Sequence, residues 1–376
     1  MRMRERSSAL KTVLLLLLPI TAVLAVSSPS RAVETLPSRL SDEAFWHMVT
    51  SFSEEGGYFR FENFLSNELA FQVVIPALRE TTKPDGVYLG VGPEQNFTYM
   101  AGIQPKMAFI LDIRRQNLIV HLMYKALFEL SSDRAEFLSR LYARKRPSGL
   151  DATSTAAALF DAYGSLETSP DLEQKTLTEI KDLLIKEHKF DLTGDDLGTI
   201  GYVYMVFVQA GPLLDYSFGG LGAGWGTPTY ADLMVATDGQ GQNRSYLAAE
   251  ENFLMVRDME KKNLIIPLVG DFAGPKAIRA VGDYLKEHDA VVTAFYTSNV
   301  EQYLFQQGED WRRFYSNVAT LPMDSSSRFI RSVNGNFVQN GFRSRFQSVL
   351  GSMADLIEAF QEGRILYYGH IIGMSR

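Results

Sequence analysis

Apolar positions follow two rhythms along this chain. Stretches rich in apolar residues occur at 87–91, 107–113, 264–269 and 290–296, and 329–333 and 365–372 read as further strands. Runs of roughly four to eight such residues, bounded by turn formers, predict strands buried on both faces. Between the runs, apolar residues recur at i, i+3 and i+4. That spacing predicts helices over 96–102, 117–130, 133–144, 197–210, 245–262, 274–288, 300–306 and 346–362. Strands alternating with helices predict a mainly parallel sheet covered on both faces, an α/β class of Rossmann-like type.

Three departures from this alternation set the organisation. After a polar lead-in at 33–45, helical periodicity runs from Glu43 to Arg79, and KPDG at 83–86 makes a turn, so 33–86 reads as an N-terminal helical segment. Residues 87–376 read as the α/β domain, interrupted by a helical insertion at about 117–210, within which LTGDD at 192–196 signals a helix start. A glycine-rich loop, SFGGLGAGWGTPTYADLM, has five glycines between Gly219 and Gly226. It reads either as a lid with Trp225 and Tyr230 as aromatic covers or as a long surface loop.

Candidate chemistry concentrates where the first strands end. In VYLGVGPEQN, Gly90 and Gly92 allow a backbone to approach a ligand, and the next helix presents free N–H groups. Asp112 follows Gly90 by 22 residues, at the end of the second run, where an acid accepts hydrogen bonds from ribose hydroxyls. Glu94, Gln95 and Asn96 follow the first strand, and Glu301-Gln302-Tyr303 the fourth. Arg114 and Arg115 are able to hold a carboxylate or phosphate. Each has a plainer reading: glycines for packing, Asp112, Asn96 and Asn299 as helix caps, and the arginines as an exposed pair.

This stretch resembles the nucleotide turn of class I S-adenosylmethionine-dependent methyltransferases and dinucleotide enzymes. Gln95 stands where the dinucleotide fingerprint has a third glycine or alanine, and Glu94 would repel a pyrophosphate, which moves the likeness from NAD toward S-adenosylmethionine. NLIIPLVGDFAGPKAIRAVGDYLKEHDAVVTAFYTSNVEQYLF (263–305) resembles the later half of a methyltransferase core. The resemblance implies Asp271 as the adenine-side acid and Tyr296, Ser298 and Asn299 on the reaction side, hence a methyltransferase-type sheet binding an adenosine-containing ligand. GVGPEQNFTY, DIRRQN and HLMYKALFEL together resemble an uncharacterised bacterial protein family with no activity to lend. The alternative is a non-catalytic exported ligand-binding or interaction protein on the same scaffold.

Composition narrows the remaining classes. The chain has 376 residues, no cysteine and five scattered histidines without metal-ligand spacing, so thiolate catalysis and disulfides are excluded and no metal site is expected. His121 reads as packing and His370 as a core residue of the last strand. Neither G-x-S-x-G nor G-x-x-x-x-G-K-[ST] occurs. Arg2, Arg4, Arg6 and Lys11 precede a 15-residue apolar run, 12–26, and Ser30-Arg31-Ala32 offers a cleavage site. Residues 1–32 therefore read as a secretory signal peptide, the run being short of the roughly 20 residues that span a bilayer. Its removal leaves 32 basic against 43 acidic residues, a formal balance of −11. Such a protein is a poor partner for nucleic acid, and it meets a membrane only if the N-terminal segment is uncleaved. N-terminal sequencing of the protein from its native host is expected to begin at Val33. An intact Met1 on a membrane-bound product would replace export with anchoring.

Overall fold

The run IIPLV carries Pro267, which has no N–H to give to a neighbouring strand, so it fits a sheet only at an edge. A computed structural model describes residues 35–216, 227–339 and 342–375. It contains six strands: β1 (Val87–Val91), β2 (Met107–Asp112), β3 (Ile265–Val269), β4 (Val292–Ser298), β5 (Arg328–Gln339) and β6 (Phe342–Ser352). They lie in the order β3-β2-β1-β4-β5-β6, which puts Pro267 on the edge strand, opposite Ile110. Neighbours from β3 to β5 are parallel, and β6 returns antiparallel to β5. The fold is α/β with a mostly parallel mixed sheet, compatible with the Rossmann-like expectation. The predicted signal segment 1–32 and the glycine-rich stretch 217–226 lie outside the described residues.

Every residue of β1, β2 and β3 is buried, as these apolar-rich stretches require. The helix Arg115–Leu130 is buried from Asn117 through Phe128. It lies between the sheet and the insertion, packing on β2 and β3 and on the helices Gly194–Ala210 and Glu250–Lys261. A helix sandwiched in this way has no solvent face to carry polar residues. The insertion therefore extends past 210, to the helix that leads into β3. Thr193 and Asp196 form a capping box at the start of Gly194–Ala210, where LTGDD predicts it. Asp196 also takes two hydrogen bonds from Arg115, of 2.7 and 2.8 Å, which fasten the insertion to the start of Arg115–Leu130.

Three element expectations fail. Residues 346–352 belong to β6, and the helix is only Met353–Gln361. FQSVLGS suits either period, and ladder pairing with β5 decides the outcome. Residues 365–372 form no strand, because β6 already occupies the sheet edge, and Tyr368–Gly373 is a short helix. Between the helix Asp42–Phe52 and the 3₁₀ turn Phe71–Val74 the N-terminal segment is not helical. Its backbone is drawn instead to the strand ends, with Glu54 N–H donating to Val269 O at 2.9 Å and Gly57 N–H to Ile113 O at 2.7 Å.

One ion pair is fully enclosed. Arg331 on β5 donates from Nε and Nη2 to the Glu301 carboxylate, at 2.5 and 3.0 Å, and Tyr315 donates to the same carboxylate at 2.6 Å. A Cβ on Gly351 would lie 2.2 Å from Arg331 Nη1, so a side chain there would displace the guanidinium. Glu301 therefore points into the core and not toward the strand ends. Arg331→Met leaves that carboxylate buried without its cation and is expected to cost about 3–5 kcal/mol, read as a lowered urea midpoint with an unchanged slope.

Candidate functional site

Gly92 has φ +77°, a conformation open to glycine at little cost, and it starts the turn that carries the chain from β1 into the helix Gln95–Ile103. Asn96 holds this turn from inside. Its Nδ2 donates to the carbonyls of Val91, Gly92 and Pro93 (3.0, 3.2 and 2.6 Å), and its Oδ1 accepts from the Tyr88 hydroxyl at 2.7 Å. Gly90 exists for that purpose, since a Cβ there would lie 1.9 Å from Asn96 Oδ1. His121 supports the turn from the next layer, its Nε2 donating to Gly92 O at 2.9 Å. Burial lowers its pKa to about 4, so the ring is neutral at pH 7.

Above the turn is an open cleft of about 900 Å³ at the C-terminal ends of the parallel strands. Among the residues singled out in the sequence, Gly92, Gln95, Asp112, Asp271, Ser298 and Asn299 line it, together with Tyr296. Gly90, Glu94, Asn96 and Arg114 do not. Glu94 is fully buried behind the turn, electrostatically coupled to Tyr124, Tyr142, Tyr230 and Tyr246 of the helical insertion. Tyr230 is thus an interior residue and not a cover for the cleft. Neither Glu94 oxygen makes a hydrogen bond of ordinary geometry. Burial, offset only in part by nearby backbone N–H groups, pushes the carboxyl up to about 8.

The two acids at the ends of β2 and β3 already have partners. Asp112 accepts from Arg114 three times, from the backbone N–H and Nε on Oδ1 (2.9 and 3.0 Å) and from Nη2 on Oδ2 (2.9 Å). Arg114 also donates from Nη1 to Glu62 O and, at 3.0 Å, to Phe61 O, which fixes the segment 58–62 as a roof over the cleft. Asp271 Oδ1 accepts from Ala273 N–H at 2.9 Å. Glu54 receives the amides of Asp271, Lys276 and Ala277 (3.2, 2.6 and 2.7 Å), capping the helix Ala277–Glu287.

The N-terminal segment supplies what sequence reasoning missed. Phe59 and Phe61 line the roof, meeting Tyr303 and Tyr216 edge-on or tilted at ring distances of 5.8 and 5.6 Å. Glu68, buried but lining the cleft, accepts from Ser298 Oγ at 2.5 Å and from the Tyr296 hydroxyl at 2.9 Å, and Gln95 donates to that hydroxyl. An acid inside the apolar stretch FLSNELAF was the available signal. Among the described residues, no group of three histidines or acids is placed to hold a metal ion.

The buried ionisable groups set a pH dependence. Glu94 and Glu260 keep their protons to about pH 8 in the folded protein but lose them near 4.5 when unfolded. The folded state then binds more protons, so stability falls as pH rises between those values. His121 acts oppositely, between about 4 and 6.5, and offsets one carboxyl there. A net fall is therefore expected from about pH 4.5, of one carboxyl up to 6.5 and of both between 6.5 and 8, with each contributing at most about 1.4 kcal/mol per pH unit. Urea titrations across this window are expected to give a shallower fall for Glu94→Gln than for the unaltered protein.

A family model described as a domain of unknown function (DUF7790) matches residues 63–165 and 224–367, well over half of the chain. The helices at 170–210 fall between the two matched stretches. No curated protein matches the chain. All six strands, the Gly92 turn, Asp112, Asp271 and the Glu68 cluster lie within the matched stretches, and the chain belongs to this family of unknown function, DUF7790.

Proposed function

We propose that this protein binds an adenosine-containing ligand, S-adenosylmethionine foremost, in the cleft above β1 and transfers its methyl group. One observation carries the reading: Gly92, Asp112 and Asp271, at the ends of three adjacent parallel strands, line a single cleft. The cleft lies where the strand order reverses between β1 and β4, the place where open α/β sheets bind ligands. The strand order is that of a dinucleotide fold, but β6 runs antiparallel, which favours a methyltransferase-type sheet over an NAD site. Methyl transfer needs chiefly proximity and in-line orientation, which a roofed cleft of this size supports.

A second reading, an exported ligand-binding protein without catalysis, is favoured by the Asp112–Arg114 pair. A ribose diol has to share a carboxylate that already accepts three hydrogen bonds. Removal of residues 1–32 with export would also take the protein away from the cytoplasmic pool of S-adenosylmethionine.

Calorimetric titration of the purified protein with S-adenosylmethionine and S-adenosylhomocysteine tests the proposal. Both are expected to bind, and Asp271→Asn and Asp112→Asn are each expected to weaken binding by about 10- to 100-fold. Thermal unfolding of the same samples separates lost contacts from lost fold. No binding of either ligand or of NAD at millimolar concentration, by protein that unfolds cooperatively, would end the adenosyl reading in favour of the second.

A further inference from the structure

Glu68 differs from every other carboxyl at the cleft. Asp112 is held on both oxygens by Arg114, and Asp271 is committed to the turn that follows it. Glu94 is fully buried and does not line the cleft. Glu68 has one oxygen held, Oε1, by Ser298 and Tyr296, while Oε2 makes no hydrogen bond of ordinary geometry, although Ser332 lies close. No cation pairs with it among the described residues.

The surrounding structure is arranged for this contact at some cost. Ser298 has φ +50°, unusual for a residue with a side chain, at an irregularity in the β4–β5 ladder between Tyr296 and Ser298. Tyr296 and Ser298, two residues apart, both reach one carboxylate oxygen. Gln95, from the first turn of the helix after Gly92, donates to Tyr296 in turn. A carboxyl oriented by two donors, one of them itself oriented, is an arrangement suited to proton transfer. Burial raises the carboxyl above its ordinary range, in the direction of a stronger base.

We propose that Glu68 is the base that takes the proton from the methyl acceptor, and that the acceptor therefore attacks through an O–H or N–H group. The inference rests on the adenosyl reading above. In the step, a lone pair of the acceptor's oxygen or nitrogen forms the bond to the methyl carbon. The carbon–sulfur bond breaks with its electrons passing to sulfur, which leaves as a neutral thioether. The acceptor's proton moves to the Glu68 carboxylate. Ser298, Tyr296 and Gln95 act as positioning residues that hold Glu68 toward the β4 side of the cleft.

The test needs no acceptor. Sinefungin carries an amine-bearing carbon where S-adenosylmethionine carries the methyl-bearing sulfur, so its ammonium group takes the place of the transferred methyl and probes the charge facing it. Wild-type protein is expected to bind sinefungin at least about tenfold more tightly than S-adenosylhomocysteine through a charge-assisted contact. In Glu68→Gln the ratio is expected to approach one while the affinity for S-adenosylhomocysteine stays unchanged. Glu68→Asp, which keeps the charge but withdraws it, is expected to fall between, and it carries the test if Glu68→Gln does not fold. S-adenosylhomocysteine binding with a sinefungin ratio indifferent to both substitutions overturns the role of Glu68 and leaves the adenosyl site standing. Failure of wild type to bind either ligand overturns the site itself, and this inference with it.

Discussion

The Arg114 guanidinium is the joint on which the cleft depends. Its Nε and Nη2 grip Asp112 at the end of β2, while Nη1 takes the carbonyls of Phe61 and Glu62 from a segment with no secondary structure of its own. Irregular backbone near a buried surface needs donors for its carbonyls, and one arginine provides them here from a carboxylate-anchored position. The approach is close: a Cβ on Gly57 would lie 2.6 Å from the Ile113 side chain. Roof, strand end and site acid are thus one unit. A change that loosens Asp112 alters the shape of the cleft as well as its charge.

The same segment determines what charge the cleft accepts. Helix N-termini at the carboxyl end of a parallel sheet ordinarily offer N–H groups to phosphates. Here the helix Ala277–Glu287 is capped by Glu54 from within the chain. The helix Gln95–Ile103 begins directly after buried Glu94, with Asn96 bonded inward to the turn carbonyls. Neither terminus is left as an anion site. The lining carries both signs of charge, Glu68 and Asp271 beside Arg60 and Arg345, with Asp112 already paired to Arg114.

The first four strands were legible because each is an apolar-rich stretch between turn formers, and burial on both faces leaves no competing period. The Gly92 turn and the acids ending β2 and β3 were legible for the same reason, since strand ends fix where side chains emerge. FQSVLGS was not, because an 11-residue edge strand and a helix share its pattern until a partner is known. Asp112 and Arg114 are two residues apart, and their pairing depends on the bend at Ile113, which periodicity does not report. Glu68 was hidden for a larger reason. Its partners lie 228 and 230 residues away, and only the return of the N-terminal segment over the sheet joins them.

Glu68 and Glu94 are both buried acids without a cation, yet they differ in what a ligand does to them. Desolvation disfavours the charged form of each, and both raise the cost of the folded state as pH rises. Glu94 is fully buried and does not line the cleft, so a ligand there meets it only through the protein. Glu68 lines the cleft, and a cation arriving there favours its ionised form directly. Binding at Glu68 therefore opposes the effect of its burial, whereas Glu94 adds to the pH dependence of folding alone. Two carboxyls with similar burial thus differ in role because one lines the cleft and the other does not.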